Sequence, residues 1–204
     1  MKITIIDYGM GNLQSIATAL EHCKATVTIS NNSDDIFCAD KLILPGVGAF
    51  ADGMQNLCSC GLDRVVREAV IDYKIPILGI CLGMQLLADT GIEGGDILGL
   101  GLISGDVIKL YPSNPRERIP HVGWNEVYYP KSNSLFTQIP EGSDFYFVHS
   151  YHFVPKSASS IIGVTPYCDR FVSAINERHI WGVQFHPEKS SVLGLTLINN
   201  FLTF

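Results

Sequence analysis

Short apolar runs alternate with segments of helical periodicity over the first 80 residues, and this alternation constrains the fold more than any other feature of the chain. The runs predict strands at KITIID (2–7), ATVTI (25–29), KLILPG (41–46) and PILGI (76–80). Apolar residues spaced three and four apart predict helices over 12–23 and 62–73. Short apolar strands that alternate with amphipathic helices are typical of a parallel sheet covered on both faces. We therefore expect an α/β fold with a mostly parallel central sheet and helices on both faces.

The second half of the chain has a different pattern from about residue 101 onward. Short runs rich in β-branched and aromatic residues follow one another between Pro and Gly residues, at 106–110, 124–129, 144–153, 160–165, 170–176 and 179–185. The closing segment, 191–202, has the periodicity of a helix. This pattern predicts additional antiparallel strands, either joined to the central sheet or packed beside it. A chain of 204 residues is long enough for one sizeable core, so we expect a single domain over 1–204.

Charge and composition argue against several classes of function. A net charge of −6 argues against a nucleic-acid partner, because phosphate binding requires a basic face. No apolar run is long enough to cross a membrane, and Asp7 interrupts the opening MKITIID too early for a signal peptide. The six cysteines are therefore expected to be free thiols in the cytoplasm. Cys58 and Cys60 form an isolated C-x-C pair, and without a second pair nearby no metal site is expected.

One cysteine lies in a setting that packing alone does not require. Gly79-Ile80-Cys81-Leu82-Gly83 follows an apolar strand and precedes MQLLA, which is the strand–turn–helix context of a nucleophile elbow with Cys in place of Ser. The turn strains its apex residue, and the N-terminus of the following helix favours the reactive thiolate. The Leu82 N–H is then free to face a developing oxyanion. The alternative interpretation is a packed core thiol with incidental glycines.

A cysteine nucleophile needs a base and an acidic residue that orients the base. The segment GVQFHPEKS (182–190) supplies both, because Pro187 favours extended backbone before it and so places His186 and Glu188 on the same side. Glu188 can then bond one imidazole nitrogen and leave the other for Cys81. None of the other five histidines has a carboxylate at this offset followed by a helix start. Taken alone, the pair is also compatible with an ordinary His and Glu at a strand end.

Two glycine-containing loops follow the first and third predicted strands. PGVGAF (45–50) can turn a backbone N–H toward a ligand around Val47, so it is a candidate second donor of an oxyanion hole, although a plain strand-ending turn has the same composition. DYGMGNLQS (7–15) looks like a dinucleotide-binding loop, but Gln14 occupies the third glycine position and no acidic residue ends the second strand. A nicotinamide site is therefore not expected.

Five separated motifs together resemble those of the class I glutamine amidotransferases. They are PGVGAF, GICLGMQLL, HVGWNEV, YFVHSY and QFHPEKS, and they occur in this order over nearly the entire chain. The resemblance implies a flavodoxin-like sheet and a Cys–His–Glu triad that hydrolyses L-glutamine to glutamate and ammonia, with no metal and no cofactor. DYGMGN and HVGWNE are more narrowly similar to the glutaminase subunits of imidazole glycerol phosphate synthases, which act in histidine biosynthesis.

The resemblance also implies roles for individual residues. Cys81 is the expected nucleophile, His186 the base and acid, and Glu188 the orienting carboxylate. The peptides at Val47, Gly48 and Leu82 are the expected oxyanion hole. The residues expected to bind glutamine are Gly46, Gln85, Glu93, Ser150 and Tyr151, and those expected to face or gate a partner are Asn12, Trp124, Tyr146 and Lys189.

A partner protein is part of this expectation. The resemblance implies a heterodimer with a (β/α)8 cyclase subunit, which takes up the sheltered ammonia and makes imidazole glycerol phosphate and aminoimidazole carboxamide ribotide. Three alternatives remain open from the sequence. They are supply of ammonia to a sugar-modifying partner in surface polysaccharide synthesis, a stand-alone cysteine hydrolase such as a peptidase, and a non-catalytic binding module.

Overall fold

The computed structural model describes residues 1–203 of the chain. The helices are α1 (Leu13–His22), α2 (Ser33–Phe37), α3 (Phe50–Ser59), α4 (Leu62–Ile71), α5 (Leu82–Leu86) and α6 (Ser191–Thr203). The strands are β1 (Lys2–Ile6), β2 (Thr26–Ser30), β3 (Lys41–Leu44), β4 (Ile77–Ile80), β5 (Thr90–Gly91), β6 (Ile97–Leu98), β7 (Gly105–Lys109), β8 (His121–Val127), β9 (Ser143–His149), β10 (Tyr151–Pro155), β11 (Ile161–Thr165), β12 (Phe171–Glu177) and β13 (Ile180–Val183). Short 3₁₀ turns lie at Ser134–Phe136, Ala158–Ser160 and Pro187–Lys189.

Seven strands form the central sheet, in the order β11-β12-β13-β4-β3-β1-β2. Five of these strands, β13, β4, β3, β1 and β2, run parallel to one another. β12 pairs antiparallel with β13, and β11 pairs antiparallel with β12. This arrangement confirms the expected α/β class with antiparallel additions from the second half of the chain. The strand order reverses between β1 and β3, and in doubly wound sheets ligands bind in the crevice beyond the carboxyl ends of strands at such a reversal.

Helices cover both faces of this sheet. Successive residues of a strand point to opposite sides, so neighbouring residues pack against different helical layers. In β3, Ile43 packs in the layer that contains α1 and α6, whereas Leu42 and Leu44 pack in the layer that contains α2 to α5. All three side chains are almost completely buried. Because both faces are covered, the loops that follow the carboxyl ends of the strands are where a ligand can reach the sheet.

Two further sheets are built from the second half of the chain. β10, β7, β5 and β6 form a four-stranded sheet, and β8 pairs with β9 in a two-stranded antiparallel sheet. The segment 144–153, predicted as one strand, is therefore two strands that belong to different sheets and are separated by Ser150. That prediction was wrong because the apolar pattern continues through a bend, where the Ser150 carbonyl accepts a hydrogen bond from Leu110 N at 2.9 Å.

The sequence pattern does not predict α2 and α3. Helix α2 has only five residues, and its N-terminus is capped by the Asn32 side chain, which accepts from Asp34 N at 2.8 Å. Helix α3 contains Gly53, which lowers its intrinsic helix propensity, yet burial of Phe50, Met54 and Leu57 stabilises it. Within the described residues, no helix combines the length and apolar character needed to span a membrane.

Candidate active site

Cys81 is the residue between β4 and α5, so the predicted strand–turn–helix context is confirmed. Its backbone adopts φ +54° and ψ −111°, a region that residues with a side chain rarely occupy. The strained turn is held in place because Cys81 N donates to Val183 O at 2.8 Å and Cys81 O accepts from Gln85 N at 3.2 Å. The following helix spans only Leu82–Leu86, shorter than the sequence suggests, so its dipole acts on Cys81 over little more than one turn.

The two flanking glycines are required by close approach of the neighbouring elements. A Cβ at Gly83 would lie 1.8 Å from Leu44 O, and a Cβ at Gly79 would lie 2.6 Å from Gly83 O. Both distances are far below van der Waals contact, so only glycine lets α5 pack this tightly against β3 and β4. The glycines of the elbow are therefore structural requirements rather than incidental residues.

The structure brings His186 and Glu188 together. His186 Nδ1 lies 2.8 Å from Glu188 Oε1, and both side chains are almost completely buried. Burial lowers the pKa of His186, but the nearby Cys81 thiol and the hydrogen-bonded Glu188 carboxylate raise it more, to about 9. The other ring nitrogen, Nε2, is buried and has no hydrogen-bond partner among residues 1–203. The imidazole is thus oriented by the carboxylate and keeps one nitrogen for chemistry.

The backbone of His186 is anchored to the neighbouring strand β9. His186 N donates to Tyr146 O at 2.9 Å, and Ser190 Oγ donates to His186 O at 2.6 Å. Tyr146 N in turn donates to Ser190 Oγ at 3.0 Å. These contacts hold the imidazole at a fixed position relative to β9.

A cavity of about 410 Å³ opens beside Cys81. Its volume lies in the range of small-molecule binding sites. The residues that line it are Val47, Gly48, Ala49, Cys81, Leu82, Gln85, Glu93, Pro120, Val148, His149, Ser150 and Tyr151. The candidate oxyanion-hole residues and all but one of the candidate glutamine-binding residues are in this set. The exception is Gly46, which is buried between Tyr8 and Leu82 behind the cavity wall.

Two candidate glutamine-binding side chains make specific hydrogen bonds. Gln85 Nε2 donates to Tyr151 O and to Gln184 Oε1, each at 2.9 Å, which uses both of its N–H groups. Glu93 accepts from Phe50 N at 3.0 Å at the start of α3, and burial raises the pKa of its carboxyl group. Both side chains are therefore fixed before any ligand binds.

Gln184 contacts the thiol and is absent from the sequence-based set. Its side chain is completely buried, and Nε2 lies 3.7 Å from Cys81 Sγ. The alternation of Val183, Gln184 and Phe185 suggests an outward polar residue, but all three are buried because this segment is covered on both sides. The signal that could have identified Gln184 is its place two residues before His186 and directly after β13, the strand next to β4.

The residues expected to face a partner fall into two groups. Trp124 and Tyr146 pair across β8 and β9 with ring centroids 6.1 Å apart, and Lys189 Nζ lies 5.9 Å from the Tyr146 ring. Trp124 is 54% exposed, so these three side chains form a surface group next to the backbone of His186. Asn12 instead caps α1, where its side chain accepts from Ser15 N at 3.4 Å.

These features define a site for thiol chemistry. A thiol on a strained elbow, beside a buried imidazole–carboxylate pair, can attack a carbonyl carbon and form a covalent acyl intermediate. In the part of the chain that the structure describes, no group of three or more His, Cys, Asp and Glu residues could hold a metal ion.

The chain is similar over almost its whole length to proteins of one family. Residues 4–203 match the family model of the class I glutamine amidotransferases, and the chain belongs to this family. Over 199 residues it is 48% identical to the imidazole glycerol phosphate synthase subunit HisH of Moorella thermoacetica, covering 98% of this chain and 93% of the relative. It is 46% identical over 200 residues to the same subunit of Methanocaldococcus jannaschii, with 98% of each chain covered. Among solved structures, PurLQS of Thermotoga maritima has the same fold, with a TM-score of 0.71, 17% identity and coverage of 98% of this chain and 97% of the other.

Proposed function

We propose that this chain is the glutaminase subunit of an imidazole glycerol phosphate synthase and hydrolyses L-glutamine to glutamate and ammonia. The observation that carries the proposal is the strained Cys81 at the cavity, together with the buried His186 imidazole, whose Nδ1 lies 2.8 Å from Glu188 Oε1. Relatives that carry the name of this subunit match almost the whole chain. This full-length similarity also favours an amidotransferase over a stand-alone peptidase or a binding module.

The proposed reaction proceeds in two halves. His186 Nε2 takes the thiol proton, and the Cys81 thiolate attacks the side-chain amide carbon of glutamine, forming a C–S bond. The imidazolium then donates this proton to the leaving nitrogen as the C–N bond breaks, so ammonia departs rather than amide ion. Neutral His186 next takes a proton from water, which attacks the γ-glutamyl thioester and releases glutamate as the C–S bond breaks. The proton taken from water stays on His186 Nε2 as the Cys81 thiolate leaves, which restores the enzyme.

Backbone N–H groups stabilise the tetrahedral oxyanion in this proposal. Leu82 follows the nucleophile, and Val47 and Gly48 lie across the same cavity. One donor of this kind contributes roughly 3–4 kcal/mol to transition-state stabilisation. Gly48 has φ +112°, a conformation that favours glycine, so the loop after β3 can present a peptide N–H that a side-chain-bearing residue could not.

The proposed glutamine site uses the groups that surround the cavity. The Gln85 carbonyl oxygen and the Glu93 carboxylate are acceptors for the α-ammonium group, and the peptides at Ser150 and Tyr151 face the α-carboxylate. Both N–H groups of Gln85 are already used, which leaves its oxygen to recognise a positive charge.

The proposed partner is a cyclase subunit with a (β/α)8 barrel. The surface group of Trp124, Tyr146 and Lys189 lies next to the His186 backbone, which is suitable for a contact that senses or shelters the reaction. Ammonia released into water near neutral pH becomes mostly ammonium, so a closed passage preserves the nucleophile. The names of the relatives favour the histidine pathway over the surface-polysaccharide alternative. We also propose a cytoplasmic location, since the six cysteines, all within the described residues, are free thiols.

Cys81→Ser in the assembled complex tests the proposal. Product formation with glutamine is expected to collapse, whereas product formation with added ammonium salt is expected to persist because the partner's site is unchanged. Cys58→Ser is a matched control, since it alters an exposed thiol on α3 and should leave both activities intact. Loss of both activities in Cys81→Ser, or retention of both, would contradict the proposal.

A further inference from the structure

A chain of three side chains connects β8 and β9 to the cavity. His121 and His149 are directly opposite each other in the β8–β9 pair, with His121 Nδ1 3.1 Å from His149 Nε2. Asn125 Nδ2 lies 3.2 Å from His121 Nε2, and His149 Nδ1 lies 2.8 Å from Tyr151 O. We call Asn125, His121 and His149 the imidazole chain. His149 and Tyr151 both line the cavity that contains Cys81.

The direction of every hydrogen bond in the imidazole chain is fixed by backbone groups at its two ends. Glu126 N donates to Asn125 Oδ1 at 2.9 Å, so the amide must turn its NH₂ group toward His121. At the other end, a carbonyl oxygen can only accept, so His149 Nδ1 must carry a proton for Tyr151 O. Asn125 therefore donates to His121, His121 to His149, and His149 to Tyr151.

This direction requires both imidazoles to be neutral with the proton on Nδ1. Burial lowers the pKa of His149 to about 3 and that of His121 to about 4, so both rings are neutral near pH 7. A neutral imidazole has one donor and one acceptor, which matches one bond given and one bond received by each ring. Every ring nitrogen of the imidazole chain is therefore satisfied, although both side chains are buried.

The end of the imidazole chain acts on the peptide that frames the cavity. Tyr151 O accepts from His149 Nδ1 and from Gln85 Nε2, so both lone pairs of this oxygen are used. Ser150 is the bend between β9 and β10, and its own carbonyl is held by Leu110 N. We infer that His149 is a positioning residue: it holds the Tyr151 carbonyl and so fixes the backbone of Tyr151, whose N–H belongs to the Ser150–Tyr151 peptide that contacts glutamine. His121 and Asn125 keep the His149 ring in the tautomer that can do this.

This inference rests on the proposed function, because it assigns the Ser150–Tyr151 peptide to glutamine binding. The test is glutamine hydrolysis by the complex with its cyclase partner, with KM and kcat measured separately. His149→Phe keeps an aromatic ring at this position and removes both hydrogen bonds. It is expected to raise KM for glutamine about threefold to tenfold, with kcat within about twofold of wild type. His149→Asn can place an N–H near the position of Nδ1, and its KM is expected between those of wild type and His149→Phe. His121→Phe is expected to raise KM less than His149→Phe.

His152→Phe is the matched control. His152 also packs against Phe171, at a ring distance of 6.2 Å compared with 4.8 Å for His149, but it does not belong to the imidazole chain. This variant is expected to keep the wild-type KM. A wild-type KM in His149→Phe, or equal increases in His149→Phe and His152→Phe, would overturn the inference and indicate a packing role. If the wild-type complex does not hydrolyse glutamine at all, the proposed function fails instead.

Imidazole ¹⁵N NMR of the wild-type chain tests the inference without any variant or substrate. Both His121 and His149 are expected to carry their proton on Nδ1 at neutral pH. A proton on Nε2 of His149 would leave Tyr151 O without this donor and would overturn the inference.

Discussion

His186 and the pair His121–His149 are equally buried histidines with opposite protonation. Their exposures are 2%, 4% and 6%, so burial does not distinguish them. The pKa of His186 is raised to about 9, whereas the pKa values of His121 and His149 are lowered to about 4 and 3. The difference in pKa comes from the partners of these histidines. Glu188 and Cys81, beside His186, can carry negative charge, whereas the amide beside His121 and the backbone carbonyl beside His149 cannot.

The protein therefore uses buried histidine side chains for two different purposes. Burial without a charge partner keeps an imidazole neutral, so it serves as a fixed donor and acceptor, as in the imidazole chain. Burial beside a carboxylate keeps an imidazole protonated, so it can deliver a proton to a leaving group, as proposed for His186.

The largest difference between His186 and the imidazole chain is expected in kcat when an imidazole is removed from each. His186→Gln removes the proton carrier and should lower the glutamine-dependent kcat of the complex by about 10⁴–10⁶-fold, a typical cost for a residue of a catalytic unit. His149→Asn should lower it by no more than about twofold, because that ring positions a peptide and transfers no proton. Steady-state kinetics of both variants provide the comparison, with ammonium-dependent activity as the control for intact assembly. Similar losses in both variants would show that the distinction is wrong.

A smaller effect is expected from removing the charge next to His186. Glu188→Gln keeps the shape of the side chain but replaces the carboxylate that accepts from Nδ1 at 2.8 Å. It should lower kcat by about 10²–10⁴-fold, since the imidazole loses both its orientation and the stabilisation of its charged form. Glu177→Gln changes a carboxylate at the end of β12, away from the cavity, and should have no such effect. Unchanged kcat in Glu188→Gln would remove Glu188 from the mechanism.

The pH dependence of stability should also separate the two groups. The folded pKa of His186, about 9, lies above the unfolded value of about 6.5, so its stabilisation is complete below pH 6.5 and is lost as the pH rises toward 9. The loss is at most about 3 kcal/mol, from 1.36 kcal/mol per pKa unit. For His121 and His149 the sign is reversed: the unfolded state binds protons that the folded state does not, so stability falls as the pH drops below 6.5.

Urea unfolding of the chain at pH 6.5 and pH 9 measures this effect. Wild type should lose more stability over that interval than Glu188→Gln, and the difference between the two proteins isolates the contribution of the His186–Glu188 pair. Equal losses in the two proteins would contradict the raised pKa of His186.

The smallest effect is expected from the backbone anchor of His186. Ser190→Ala removes the hydroxyl that donates to His186 O and accepts from Tyr146 N. The expected result is a decrease of about tenfold in kcat, with KM little changed, because the imidazole is misplaced but present. Ser159→Ala, on an exposed 3₁₀ turn, is a control that should leave kcat unchanged. A wild-type kcat in Ser190→Ala would show that the anchor does not position His186.

The sequence predicts the elements of this site whose signals are local. The Cys81 elbow is recognisable because a strand, a glycine-flanked turn and a helix follow one another within a few residues. The proximity of His186 and Glu188 is recognisable for the same reason, since an offset of two is enough to join them. The parallel first half of the fold follows from the alternation of strands and helices.

What the sequence does not predict depends on pairing between distant segments. Gln184 reaches Cys81 only because β13 lies beside β4 in the sheet, and a buried strand gives no sign of which face a polar residue takes. His121 and His149 meet through the register of β8 and β9, which no local pattern specifies. The bend at Ser150 is hidden in an apolar run, because the hydrogen bonds at Ser150 and Tyr151 come from Leu110, directly after β7, and from Gln85 in α5.

The most direct test of the account is an NMR pH titration of the imidazole resonances of the chain, in wild type and in Cys81→Ser. His186 is expected to keep its proton up to about pH 9 in wild type and to lose it at lower pH in Cys81→Ser, while His149 remains neutral down to about pH 3 in both. If His186 instead releases its proton near pH 6.5 in both proteins, it forms no charged unit with Cys81, and the proposed catalytic machinery is contradicted.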